Sequence, residues 1–147
     1  GKKDFEELKK LIIQTNNKND LRKKAEYLLK KYPKHLGIRQ TLGSIYLNLD
    51  ENEESIKILK KIISEKNDNE YTHYFLLLNY ARKNNYLEVI NSFNESVKIN
   101  KDFVEVYKIF LNHLSSIEID DYKPLATKEI KNSMIYASKN DFHPHMN

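Results

Sequence analysis

The sequence contains no cysteine and no tryptophan, and it has only three glycines and three prolines among 147 residues. Without cysteine the chain can form neither disulfides nor cysteine-based zinc sites. So few glycines and prolines cannot supply the many tight turns of an all-β sandwich or barrel, which favours helices. No apolar run approaches the roughly 18 residues of a transmembrane span, and the first residues lack the apolar stretch of a signal peptide.

Length and charge narrow the architecture further. At roughly 100–200 residues per domain, the chain holds one domain or one array of small repeats. The formal charge of +4 is uneven, because residues 1–34 carry 11 Lys or Arg against 5 Asp or Glu. Such a basic end suits nucleic acid or an anionic membrane, but a solvated helix face is the simpler interpretation. Phosphate-binding surfaces usually favour arginine, and this chain has only Arg22, Arg39 and Arg82.

The apolar residues recur with a period of 34. In units that begin 34 residues apart, the seventh residue is large and apolar in every case: Leu8, Leu42, Leu76 and Phe110. The eleventh residue lies on the same helical face: Ile12, Tyr46, Tyr80 and Leu114. A second apolar stripe and a polar turn follow in the first three units, which predicts a helical hairpin per unit. We expect a single repeat domain over 1–147, with units of about 2–35, 36–69, 70–103 and 104–141 and a tail over 142–147.

A 34-residue hairpin with these positions resembles the tetratricopeptide repeat. Unit two has the family's Leu, Gly and Tyr as Leu42, Gly43 and Tyr46, and unit three has Leu76 and Tyr80. The family's tryptophan is absent and its second-helix alanines are replaced, so the match is one of pattern. The resemblance implies an all-α fold, an α-solenoid of antiparallel helix pairs forming a right-handed superhelix. RNA-reading 35-residue repeats and other α-solenoids remain the alternatives.

The fourth unit departs from the period after Leu114. A longer connection leads to a helix that we expect to begin near Tyr122, with Pro124 in its first turn. Its inward stripe, from Ala126 to Ala137, is typical of a terminal helix that caps a solenoid. Because only this C-terminal cap is recognisable, we expect possible additional repeats on the N-terminal side of the natural protein.

No catalytic or cofactor motif is recognisable. The three glycines are too scattered for a phosphate-binding loop, and no Gly-x-Ser-x-Gly or His-Glu-x-x-His pattern occurs. Asp141, His143 and His145 alternate as metal ligands can, but they follow a helix end, which favours a flexible tail. His73 coincides with a packing position of its unit, which favours a core or groove histidine over a catalytic base. We therefore expect no enzymatic activity, no cofactor and no metal.

The family resemblance implies a protein-binding groove lined by the first helix of each unit. In unit three, Tyr71, Tyr74, Phe75 and Leu78 add apolar area beyond the core positions. We predict an aromatic anchor site here for an extended peptide or a helix of another protein. The alternative is that all of this area packs against adjacent helices. The predicted groove residues are Gln40, Ser44, Tyr71, Tyr74, Phe75, Leu78, Arg82, Lys108 and Asn112.

One family variant clamps the C-terminal carboxylates of chaperones with Lys, Asn, Asn, Lys and Arg. The corresponding positions here are Glu6, Lys10, Thr41, Tyr71 and Phe75, or one unit later Gln40, Ser44, Phe75, Glu105 and Ile109. Neither set has the required charges, so a chaperone-tail adaptor is disfavoured.

The leading interpretation is a non-enzymatic scaffold or adaptor whose partner is another protein. One alternative is an accessory repeat segment of a larger enzyme or of an assembly or secretion machine. A weaker alternative is contact with RNA or an anionic membrane through the basic first unit, with nucleic acid disfavoured as a partner. The sequence leaves the compartment open and slightly favours the cytoplasm.

Overall fold

A computed structural model describes residues 2–115 of the chain. This part consists of seven α-helices: α1 (Lys2–Gln14), α2 (Lys18–Lys31), α3 (Leu36–Asn48), α4 (Asn52–Ser64), α5 (Glu70–Arg82), α6 (Tyr86–Ile99) and α7 (Val104–Ser115). The odd-numbered helices begin 34 residues apart, as the sequence period predicts. The helix expected near Tyr122, the triplet of Asp141, His143 and His145, and the tail over 142–147 lie outside the described residues.

The described helices form an all-α solenoid of antiparallel pairs stacked in chain order. Each helix packs against the next one along the chain, and α3 also packs against α5. This arrangement places the first helices of neighbouring hairpins side by side. The odd-numbered helices therefore form one layer of the solenoid, and the even-numbered helices form the other.

Polar residues in the turns begin and end the helices. The side chain of Asn17 accepts a hydrogen bond from the first turn of α2, and Asn69 does the same for α5 within a complete capping box. The chain reverses after α3 and α5 through left-handed residues, Asp50 and Asn84, with φ values of 60° and 56°. Asp and Asn tolerate this conformation better than most residues, which explains the polar turn clusters of the sequence.

The core contains the predicted seventh positions. Leu8, Leu42, Leu76 and Phe110 are 0%, 2%, 4% and 0% exposed. The prediction is wrong for Ile12, an eleventh position, which is 40% exposed. No described helix precedes α1, so the side of α1 that carries Ile12 is not covered as Tyr80 is in α5, where 6% is exposed.

A buried polar network joins α3, α4 and α5. Asn79 Nδ2 donates to Ser55 Oγ at 2.9 Å, and Ser55 Oγ donates to the Gly43 carbonyl at 2.7 Å. Asn52 Nδ2 donates to Asn79 Oδ1 at 3.1 Å. Both Asn79 and Ser55 are 0% exposed, so these bonds satisfy groups that would be costly to bury alone. The network therefore sets the position of α5 against the preceding hairpin.

The fourth residues of units two and three are buried polar groups with partners of their own. Arg39 is 3% exposed and donates to both carboxylate oxygens of Glu65, at 3.3 and 3.0 Å. Hydrogen bonds from Lys34 and then Arg39 lower the pKa of Glu65. His73 is 5% exposed, and its Nε2 lies 2.7 Å from Asp68 Oδ2. His73 is thus a packed residue of the core.

A hydrogen bond between α2 and α3 couples the first two hairpins to pH. The Tyr46 hydroxyl donates to Glu26 Oε2 at 3.1 Å. Burial, and then this hydrogen bond to Glu26, raise the pKa of Tyr46 to about 12. Since the ordinary tyrosine pKa is about 10, this group stabilises the fold fully below about pH 10, and its contribution is lost as the pH rises towards about 12.

We therefore expect the wild-type protein to lose more unfolding free energy than Tyr46→Phe when the pH is raised from about 9 to about 11. The phenylalanine variant cannot ionise at this position, so only the remaining tyrosines and lysines give it a pH dependence. Urea unfolding of both proteins at each pH measures the difference. Equal losses in the two proteins would contradict the raised pKa of Tyr46.

Candidate functional site

The exposed side of α5 carries the largest aromatic group on the layer of first helices. Tyr71 is 48% exposed, and Tyr74, Phe75 and Leu78 are half-buried. These four residues lie three or four positions apart, so they share one side of the helix. The opposite side carries Leu76, Leu77 and Tyr80 into the core, which leaves these four towards the surface.

Phe103, the residue before α7, holds the tyrosines in place. Its ring centroid lies 4.8 Å from that of Tyr71 and 5.3 Å from that of Tyr74, and Phe103 itself is 5% exposed. The Tyr74 and Phe75 rings are 5.6 Å apart. We call Tyr71, Tyr74, Phe75 and Phe103 the aromatic site.

The sequence analysis missed Phe103, although a pattern pointed to it. The residues 34 and 68 positions earlier, Asn69 and His35, are polar and cap the following helices. Phe103 is the apolar exception at this position of the repeat. Its ring packs beneath the side of α5 that the resemblance assigns to the groove.

The members of the aromatic site differ in how much surface they leave free. Tyr74 and Phe75 pack against the buried core cluster. Burial, and then the nearby Glu105 carboxylate, raise the pKa of Tyr74. Tyr71 contacts Phe103 on one side and leaves about half of its surface open. Tyr71 therefore offers the accessible ring, and Tyr74 and Phe75 support it.

Two polar residues of α3 lie near this site. Gln40 Oε1 accepts a hydrogen bond of 2.7 Å from Thr72 Oγ1, next to Tyr71 in the sequence. Within residues 2–115, the Gln40 amide nitrogen and the half-buried Ser44 hydroxyl make no hydrogen bond. Both groups remain able to bind the backbone or side chains of a ligand.

Arg82 is engaged within the molecule. Its Nη1 donates to the Leu47 carbonyl at the end of α3, and it lies 3.1 Å from Asp50 Oδ1. These contacts link the end of α5 to the turn after α3. The guanidinium is thus held at the edge of the groove face instead of standing free in it.

Lys108 and Asn112 lie four residues apart on α7 and share one side of that helix. Lys108 is half-buried and Asn112 is exposed. In the described part of the chain, neither side chain forms a hydrogen bond or an ion pair with the other predicted groove residues. They add one positive charge and one amide to the α7 edge.

The described residues offer surface for binding and no metal cluster. Among residues 2–115, no three His, Asp or Glu side chains converge as metal ligands do. None of the helices in the same range is long and apolar enough to cross a membrane. The chemistry that the groove face presents is an aromatic ring, amides, a hydroxyl and an ammonium group.

A family model of the tetratricopeptide repeat matches residues 36–69, which span α3 and α4. Searches of curated proteins and of solved structures give no significant match. The matched segment and the seven consecutive helices of the described part identify a tetratricopeptide-like repeat array. Repeats of this family generally mediate protein–protein interaction, and their helical fold is typically non-catalytic.

Proposed function

We propose that this chain is a non-enzymatic scaffold or adaptor that binds an extended peptide or a helix of another protein on the exposed sides of α3, α5 and α7. The observation that carries the proposal is Tyr71, 48% exposed and fixed against the buried ring of Phe103. A rigid, half-exposed aromatic ring buries a large area on binding and loses little side-chain entropy.

The charges around the aromatic site favour an apolar partner segment over an acidic one. Arg82 is already paired with Asp50, and Lys108 has Glu105 three residues before it on α7. The site therefore has little net positive charge. A partner side chain that is aliphatic or aromatic fits against Tyr71 and Leu78.

Hydrogen-bonding groups flank this apolar surface on both neighbouring helices. Gln40 and Ser44 provide an amide and a hydroxyl on α3, and Asn112 provides an amide on α7. Such groups pair with the backbone of an extended peptide. An aromatic centre with a polar rim is the composition expected of a protein interaction site.

Site-specific photo-cross-linking tests this function. The cross-linking residue benzoylphenylalanine replaces Tyr71 in one protein and Leu87 in a control, and each is exposed to an extract of the source cells. Leu87 lies on α6, in the other layer, and its exposed fraction of 51% is close to the 48% of Tyr71. We expect a defined protein to be linked from position 71 and not from position 87.

Two results would contradict the proposal. The same proteins could be linked from both positions, which would indicate non-specific contact. Position 71 could also link to nothing while the intact protein retains a partner in affinity capture, which would move the interaction to another surface.

A further inference from the structure

The outer sides of α2 and α4 carry a group of lysines that is independent of the groove face. Within the described residues these lysines form no ion pairs, whereas Lys18, Lys31 and Lys34 are bonded to Asn48, Asp4 and Glu65. We call them the basic ridge: Lys23, Lys24, Lys30, Lys57, Lys60 and Lys61.

The basic ridge follows the repeat. Lys57 and Lys61 stand 34 residues after Lys23 and Tyr27, so they occupy equivalent positions on neighbouring second helices. On α4 the buried residues Ser55, Leu59 and Ile62 lie on the opposite side from the lysines. The ridge therefore faces solvent across two adjacent hairpins.

The third hairpin lacks this charge. Helix α2 carries six Lys or Arg against two Asp or Glu, and α4 carries three against two. Helix α6 carries one against two, and that one, Lys98, is 3.2 Å from Glu95. The positive surface is thus confined to the first two hairpins and is not a general property of the outer layer.

Tyr27 adds an exposed aromatic ring to the ridge. It is 59% exposed, and Lys24 Nζ lies 5.6 Å from its ring centroid. Tyrosine is enriched where proteins meet membrane headgroups, because its apolar ring and polar hydroxyl suit both sides of that boundary.

We propose that the basic ridge binds the anionic surface of a lipid bilayer. Lysine ammonium groups act as mobile point charges and are attracted to a diffuse negative surface, at a gain that accumulates with each residue. Specific phosphate recognition in nucleic acids usually uses the arginine fork. All three arginines of the chain are already paired, Arg22 with Glu51, Arg39 with Glu65 and Arg82 with Asp50.

The two layers of the solenoid separate the two binding surfaces. The ridge lies on second helices, and the aromatic site lies on first helices. A chain held on a membrane by the ridge would keep Tyr71 accessible to a partner. The membrane proposal does not depend on the groove, and each can fail without the other.

Vesicle co-sedimentation tests the ridge. We expect the protein to bind vesicles in which phosphatidylserine replaces about a third of the phosphatidylcholine, and to bind pure phosphatidylcholine far more weakly. The double variant Lys23→Gln/Lys57→Gln is expected to bind the anionic vesicles about tenfold more weakly or worse, since each lysine contributes separately. Raising the salt concentration is expected to release the wild-type protein.

The matched control is Lys98→Gln/Lys101→Gln, which removes the same charge from exposed positions of the third unit. We expect it to bind the anionic vesicles within about twofold of the wild type, because its lysines lie off the ridge. Circular dichroism checks that both double variants remain folded. The proposal is contradicted if the control loses as much binding as the ridge variant, or if phosphatidylserine does not improve binding. Tighter, ridge-dependent binding to single-stranded RNA than to the vesicles would assign the surface to nucleic acid and overturn it too.

Discussion

Replacing Phe93 by Ala is expected to lower the free energy of unfolding by about 3–5 kcal/mol. Phe93 is 2% exposed, and its ring stacks on Phe110 at 4.0 Å between centroids. Its ring also meets Tyr107 edge-on at 5.4 Å. The substitution removes both ring contacts and leaves a cavity between α6 and α7.

Urea unfolding followed by circular dichroism measures this loss, with Leu87→Ala as the control on the same helix. Leu87 is 51% exposed, so its truncation is expected to cost no more than about 0.5 kcal/mol. Hydrogen exchange is expected to accelerate more in α7 than in α1, because a repeat contacts only its neighbours. Similar losses in the two variants would mean that Phe93 does not join the last two hairpins.

Replacing Tyr71 by Ala is expected to weaken binding of the cross-linked partner by about 1–4 kcal/mol. The same change is expected to reduce stability by only about 0.5–1.5 kcal/mol, the range for one aromatic pair, since Tyr71 is half-exposed and mainly contacts Phe103. Tyr74→Ala should affect both quantities, because Tyr74 packs on the core. Calorimetric titration with the partner segment and urea unfolding separate the two effects.

Leu87→Ala is the control here as well, and it is expected to leave partner binding unchanged. If Tyr71→Ala binds as tightly as the wild type, Tyr71 is not an anchor. If it unfolds as readily as Phe93→Ala, the ring is ordinary packing between helices and the apolar area of α5 has no separate role.

The sequence predicted the helices well because the repeat encodes them locally. A period of 34 placed the starts of the first helices, and Leu42, Leu76 and Phe110 were identified as core from their spacing alone. Each of these residues packs according to its position within its own hairpin, so four copies of the pattern reinforce one prediction.

Contacts between hairpins were harder to predict. Asn79 is buried because Ser55 and Asn52, from the preceding hairpin, satisfy its amide. In the sequence it is only a polar residue in an apolar helix. Arg82 was assigned to the groove by its position, yet it reaches Asp50 across 32 residues of sequence. Such pairings depend on how the hairpins stack, which a single sequence does not state.

The most direct test of the proposed binding surface is the amide NMR spectrum of the labelled protein, recorded with and without the partner segment identified from position 71. Binding on the first helices predicts shifts at Tyr71, Leu78 and Lys108, with the outer positions Lys23 and Lys57 unchanged. Shifts confined to those two lysines, with Tyr71 unchanged, would contradict it.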